Sequence, residues 1–298
     1  MLSPEDIKAY RENGYIVLHD FFNHDKIREL SRVCNALSAG ARDLTKNTAL
    51  FDLEESHRPD DVRVRRLKRP TEMDPAFHQM ARDSRLLDAI GDLIGPAIRL
   101  THPKGKLNIK AAGYGSAVEW HQDWAAYPHT NDDLLAVGIP LDDCLNDNAP
   151  MMIIPGSHKG PVHDHHVGGY YSSGIDPKTS GIDFSTAVPL TGRAGMVTFH
   201  HVRAVHGSAL NRSDRPRRLF ILQYAAADAW PLLGATDFAQ FNEAIVRGAP
   251  VQSPRMEALP VRIPLPLPET QGSIYEQQLN MSQRFFERYD DRSETPNA

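Results

Sequence analysis

His121 and Asp123 stand two residues apart in Glu119-Trp120-His121-Gln122-Asp123-Trp124. On an extended strand, side chains at i and i+2 point to the same face. The imidazole and the carboxylate can then aim at one point. They supply two members of the 2-His-1-carboxylate set that leaves open positions on a non-haem Fe(II). The pair alone is weak, because His-x-Asp recurs by chance and reads equally as a polar surface pair. It needs a second histidine. Of fourteen histidines, six (His158, His163, His165, His166, His200 and His201) fall between residues 158 and 201. His206, in Val205-His206-Gly207-Ser208, is the informative one. The ten residues between it and Arg217 include Gly207, Asn211, Asp214 and Pro216, a turn-rich connection between two strands. The spacing places His206 near Arg217 on paired strands, with His201 as the competing ligand and Arg215 and Arg218 as competing cations. Adjacent strand residues face opposite ways, so only one of Arg217 and Arg218 points inward. 2-Oxoglutarate suits a metal-bound histidine beside an arginine. Its keto-acid end chelates the metal, and its distal carboxylate takes a bidentate guanidinium.

Those residues need strands to hold them and a core to fix the strands. Ser3-Pro4-Glu5-Asp6 reads as a capped helix start, running to about Glu12 with Gly14 as the stop. Tyr15-Ile16-Val17-Leu18 reads as a strand. A second helix over 23–39 has Ile27, Leu30, Val33 and Leu37 on one face, and a third over 83–93 ends at Gly95-Pro96. Residues 40–61 read as a loop and Val62 to Leu67 as a strand. Strands are then expected over 97–101, 104–112, 134–141, 151–154, 195–200, 204–206 and 217–224, punctuated by turns such as His102-Pro103 and Gly113-Tyr114-Gly115-Ser116. That pattern makes a mainly β protein, with a closed or sandwiched all-β core and helices packed outside. Residues 159–187 read as a long lid or binding loop. Residues 237–246 read as a helix, the proline-rich 249–270 as an extended connector, and 271–289 as weakly helical. The last residues, 290–298, read as frayed.

Composition narrows the class. The 298 residues, 41% of them hydrophobic, can bury a core, and the formal net charge is −5. No basic patch of the size a nucleic-acid binder needs is present. The run Arg63-Val64-Arg65-Arg66-Leu67-Lys68-Arg69 reads as a solvated strand or one charged wall of a pocket. Cys34 and Cys144, far apart, form no disulfide framework and suit a reducing cytosol. With no apolar run near 18 residues and no signal-peptide pattern at the N-terminus, a soluble cytoplasmic protein without a membrane partner is the expectation.

The joint pattern has a family likeness. Trp120-His121-Gln122-Asp123, then Ile154-Pro155-Gly156-Ser157-His158-Lys159-Gly160, then His206-Gly207-Ser208, Asn211 and Arg217, resembles the phytanoyl-CoA dioxygenase-like (PhyH) family of Fe(II)/2-oxoglutarate oxygenases. Asn13-Gly14-Tyr15-Ile16-Val17-Leu18 looks like that family's N-terminal strand, and the likeness runs over about residues 5–228. The resemblance implies a double-stranded β-helix, or jelly-roll, cupin-like core. The expected layout is one domain over 1–298: helices in 1–95 packed on a core at 96–228, with a C-terminal extension over 229–298. It implies iron held by His121, Asp123 and His206, and the distal carboxylate of 2-oxoglutarate held by Arg217 with help from Ser208. It implies Fe(II), 2-oxoglutarate and O2 as the reacting set, with succinate and CO2 released and hydroxylation of an unactivated C–H the usual outcome. A halogenase is disfavoured, because Asp123 fills the position that chloride would need.

Other assignments rest on strand parity and composition. Lys106, Asn108 and Lys110 share one strand face and can line the cosubstrate cavity; exposed edge-strand lysines are the alternative. Gln223 shares parity with Arg217 and should face the same way, while Tyr224 and Gln122 should face away. Trp124 is placed at the mouth of the site, and Tyr127, His129 and Tyr170 as substrate contacts. Lys159, His163, His165, His166 and Tyr171 in the long loop suggest a small polar or aromatic substrate. Two rival classes remain, a jelly-roll metal enzyme that does not use 2-oxoglutarate and a non-catalytic ligand-binding jelly roll. The first is disfavoured by Arg217 and the second by the intact triad. Oligomeric state is not legible.

Overall fold

Local signals set the N-terminal helices. In the computed structural model, which describes residues 1–102 and 104–288, α1 spans Pro4–Asn13. The Ser3 hydroxyl accepts from the Asp6 N–H, and the Asp6 carboxylate accepts from the Ser3 N–H. Gly14 stops the helix at φ 79°, a left-handed geometry that only glycine adopts without a Cβ penalty. β1 (Tyr15–Leu18) follows, then α2 (His24–Ala39), capped by the Asn23 side chain and burying Ile27, Leu30, Val33 and Cys34. β2 (Phe51–Leu53) lies within the stretch expected to be a loop; three residues are too few to show a period. β3 (Val64–Leu67) is followed by two short helices absent from the sequence reading, α3 (Pro70–Met73) and α4 (Pro75–Met80), each opening on a proline. α5 (Ser84–Ile94) is capped by Asp83.

Strands then dominate: β4 (Ile98–Leu100), β5 (Lys106–Lys110), β6 (Val118–His121), β7 (Leu134–Pro140), β8 (Met152–Ile153), β9 (His166–Val167), β10 (Tyr170–Tyr171), β11 (Val188–Pro189), β12 (Val197–His201), β13 (His206–Ser208) and β14 (Arg217–Ala226). The expected helix over 237–246 is shorter, α6 (Phe238–Glu243), and its last residues instead form β15 (Ile245–Arg247) on β4. Weak helical period at 271–289 resolves into one turn, α7 (Ile274–Gln277), and a 3-10 turn at Gln278–Asn280. The frayed tail expected over 290–298 lies outside the described residues.

The strands form two main antiparallel sheets of a double-stranded β-helix. The larger runs β1-β12-β7-β14-β5-β3-β2, with β4 and β15 attached through β14, and the smaller runs β11-β8-β13-β6. All seven residues of β7 are buried, which is why its apolar run does not alternate: it lies between β12 and β14 and is covered on both faces. In β14, Phe220, Leu222 and Tyr224 face the helices. Phe220 meets Phe77 edge-on at 4.9 Å between ring centroids, and the Tyr224 hydroxyl donates to Ala81 O at 2.9 Å. Arg217, Leu219, Ile221 and Gln223, of opposite parity, face inward to cavities beside the smaller sheet.

Candidate metal centre and its two cavities

His121 ends β6 and His206 opens β13, and the two are paired across the antiparallel ladder. Gly207 lets the strands close at this point: a Cβ there would lie 3.1 Å from Val118 O and 3.2 Å from Trp120 N. Nδ1 of His121 is 2.8 Å from Glu119 O, and Nδ1 of His206 is 3.0 Å from Ala204 O. Each Nδ1–H donates to its carbonyl, which leaves the lone pair on Nε2. Among the described residues neither Nε2 has a hydrogen-bond partner. Burial, first of all, lowers the pKa of both rings and keeps them neutral. Asp123 is buried too. Burial pushes its carboxyl up, but Lys106, His206 and His121 outweigh that and hold it far below the usual carboxylate range. One ligand atom from each of His121, Asp123 and His206 lies within 4.8 Å of the others. Two neutral imidazole nitrogens and an ionised carboxylate with unused lone pairs fit a divalent non-haem iron.

The i, i+2 reasoning holds as far as Asp123. β6 ends at His121, yet Gln122 stays extended at φ −119°, ψ 126°, so Asp123 keeps the parity of His121. At Asp123 the chain enters a 3-10 turn, and parity stops there. Trp124 is therefore not at the mouth of the site. It is buried against Leu134, Val202, Ala225 and Ala229, and its indole N–H donates to Pro260 O at 2.8 Å. Gln122 faces away as expected, its amide bonded to Pro161 O, Arg203 O and the His163 N–H. Gln223 faces in, donating to Asp123 Oδ2 at 3.0 Å and to the Tyr127 hydroxyl. It orients the carboxylate.

Two cavities meet at this centre. The inner chamber runs between the sheets from the triad to Ser208 and Arg217, with Asn108, His200 and Tyr275 on its walls. Arg217 is buried, and its Nε and Nη2 donate to Ala149 O at 3.1 and 3.0 Å. Arg218 is on the opposite face, paired with Asp142, and Arg215 pairs with Asp147 at the surface. His201 lies away from the centre, near Asp132. Lys106 and Asn108 line the chamber but Lys110 does not. Its ammonium is buried and donates to Ser208 O and Ala209 O; β5 is flanked by β14 and β3, so the edge-strand alternative fails as well. His200 went unread in the sequence. It lines the chamber with Nε2 3.9 Å from Asp123 Oδ2, and neither ring nitrogen has a hydrogen-bond partner among the described residues.

The outer cavity, about 580 Å³, reaches His121 and Asp123 from the other side. Arg66 and Lys106 line both cavities, so the basic run at 63–69 supplies a charged wall. Lys68 pairs with Asp52, and Arg69 and Lys104 with Glu72. Tyr127 lines this cavity. His129 does not: it is buried behind Tyr127, its Nδ1 2.8 Å from Tyr127 O. Tyr170 is 45% exposed and points out, while Tyr171 lines the cavity. Alternation across a two-residue strand decides which tyrosine enters, and the sequence alone does not fix it. Of the long loop, Lys159, His163, His165 and His166 stay outside; the three loop histidines named last line a separate small crevice with Trp124.

Residues 10–219 match the family described as phytanoyl-CoA dioxygenase (PhyH). The chain belongs to the phytanoyl-CoA dioxygenase family. It is 34% identical over 286 residues to a "Probable alpha-ketoglutarate-dependent hypophosphite dioxygenase" of Stutzerimonas stutzeri, covering 95% of this chain and 99% of that one. It is 26% identical over 246 residues to an ectoine dioxygenase of Sphingopyxis alaskensis, covering 76% of each. The fold matches the crystal structure of EctD from S. alaskensis with 2-oxoglutarate and 5-hydroxyectoine at a TM-score of 0.66 and 24% identity, over 84% of this chain and 86% of that one. The protein is an Fe(II)/2-oxoglutarate-dependent dioxygenase. No described helix is long and apolar enough to cross a membrane.

Proposed function

We propose that His121, Asp123 and His206 hold the Fe(II), that Arg217 and Ser208 take the distal carboxylate of 2-oxoglutarate, and that the outer cavity presents a small oxyanion for hydroxylation at a C–H or P–H bond. One observation carries the substrate class. Arg66 and Lys106 face the junction of the two cavities, and among the described residues neither has a carboxylate at ion-pair distance; Arg66 Nε donates only to Asn108 Oδ1, at 2.9 Å. Fe(II), Asp123, the two carboxylates of 2-oxoglutarate and Arg217 balance in charge. Arg66 and Lys106 are then left as positive charges beside the reacting centre, a surplus that an anionic substrate offsets. The relative named as a probable hypophosphite dioxygenase supports the same class.

Bound iron and 2-oxoglutarate supply the oxidation: with O2 the cosubstrate is decarboxylated to succinate and CO2, and one oxygen atom goes to the substrate. The protein's residues bind and orient. The backbone carbonyls of Glu119 and Ala204 fix the two imidazole tautomers, Gln223 fixes Asp123, and Lys106 holds the anion at the mouth of the inner chamber. Substrate-dependent succinate release tests this across hypophosphite, small alkylphosphonates and carboxylates, with ectoine and proline as uncharged-overall comparators. The oxyanions are expected to stimulate release and to gain one oxygen atom. Efficient turnover of the comparators alone would overturn the oxyanion reading.

A further inference from the structure

Tyr275 lies in α7, on the C-terminal segment beyond the stretch that matches the family, which ends at residue 219. Its side chain lines the inner chamber together with Ser208 and Arg217. It is 5% exposed, and its hydroxyl is buried with no hydrogen-bond partner among the described residues. Folds rarely keep such a hydroxyl without a hydrogen-bond partner, because burying it unpaired is costly, and this one sits in the wall of a chamber that can hold one. The guanidinium carbons of Arg65 and Arg66 lie 4.6 and 5.0 Å from its ring centroid. Burial raises its pKa, with the charges of Arg66 and Arg217 opposing, so the group stays a protonated donor.

The segment is held in place by specific bonds. The Glu276 carboxylate accepts from the Ser273 N–H at 2.7 Å and from the Asn47 amide at 2.8 Å. Gln278 accepts from the Glu119 N–H at 3.0 Å and donates to Ser173 O at 2.8 Å. The Glu119 carboxylate accepts from the Phe285 N–H at 2.9 Å, and Phe286 stacks on Trp120 with ring centroids 5.5 Å apart. The segment is thus strapped to β6, the strand that ends in His121.

We propose that the Tyr275 hydroxyl is a further cosubstrate contact, donating a hydrogen bond to the distal carboxylate of 2-oxoglutarate, so that the C-terminal segment completes the chamber. This rests on the reading that Arg217 holds that carboxylate. Titration calorimetry on the full chain loaded with Mn(II) tests it without turnover, using 2-oxoglutarate and pyruvate, a 2-oxo acid with no distal carboxylate. Tyr275→Phe should raise the Kd for 2-oxoglutarate about tenfold to a hundredfold, the loss of one hydrogen bond to a charged group, and leave Mn(II) and pyruvate binding unchanged. Unchanged 2-oxoglutarate affinity, or an equal loss for both acids, overturns the proposal. Arg217→Ala separates the two claims. Normal 2-oxoglutarate binding there sinks the underlying assignment, whereas weakened binding there with normal binding in Tyr275→Phe sinks the Tyr275 contact alone. Hydrogen exchange on the unaltered protein needs no variant: 2-oxoglutarate should slow the amides of residues 273–278 more than pyruvate does, and equal protection by both counts against the contact.

Discussion

Replacing Lys106 with methionine isolates the charge from the shape of the site. The ammonium takes part in no hydrogen bond or ion pair among the described residues, yet it lines both cavities beside His121 and Asp123. Lys106→Met keeps an unbranched side chain on β5 and removes only the charge and its donors. No protein hydrogen-bond acceptor is left unpaired, but Lys106 is the largest of the charges that lower the Asp123 pKa, so Asp123 should protonate more readily in the variant and Fe(II) affinity is measured alongside. The cost in turnover is separate. If Lys106 bonds a substrate oxyanion, its loss removes a charged hydrogen bond of about 1.5–3 kcal/mol, a fall of about tenfold to 150-fold in kcat/KM for that substrate. The assay is substrate-dependent succinate release at saturating 2-oxoglutarate, with the Kd for 2-oxoglutarate measured alongside. An unchanged kcat/KM in a folded variant would refute the role. A loss confined to 2-oxoglutarate affinity would move Lys106 to the cosubstrate instead.

Gln223→Leu removes the donor that holds Asp123 and Tyr127. Fe(II) affinity should fall about tenfold to a hundredfold, read by metal titration in the absence of oxygen; unchanged affinity would show that Asp123 needs no orienting. Trp124→Ala should cost about 3–5 kcal/mol of stability, seen in denaturant unfolding, because the indole is core. The substrate KM of the folded fraction should not move, and a selective change in KM would return Trp124 to the substrate wall.

The sequence was most informative where regular elements carried the signal. Alternation along β6 and β14 is a local property, and it made His121, Asp123 and Arg217 legible. His206 does lie near Arg217, but not on paired strands as expected: β13 pairs with β6 and β8 while β14 pairs with β4, β5 and β7, so the two meet across the two sheets. Ser3, Gly14, Asn23 and Asp83 marked helix ends because capping is local as well. Trp124 was placed at the mouth because it follows Asp123 in the chain, whereas the 3-10 turn there sends it into the core; nothing local distinguished Tyr170 from Tyr171 in a two-residue strand. Lys110 was misplaced because its ammonium is taken by the Ser208 and Ala209 carbonyls at the end of β13, a long-range contact that parity along β5 does not reveal. Arg66 lay in the basic run read as a solvated strand or a pocket wall, and it does line the chamber; Tyr275 reaches it from the far end of the chain, and no local pattern announces that approach. His200 was named among the histidines but given no role, because only the register of β12 shows which ring of the His-His pair turns toward Asp123.

The central claim is that the pair of strands β6 and β13, not the neighbouring histidines, provides the iron site for the keto acid. The visible charge-transfer absorbance of the Fe(II)–2-oxoglutarate chelate, recorded without oxygen, tests it most directly. The unaltered protein and His201→Ala should both develop the band on adding 2-oxoglutarate, and His206→Ala should not. A band that survives in His206→Ala and disappears in His201→Ala would contradict the account.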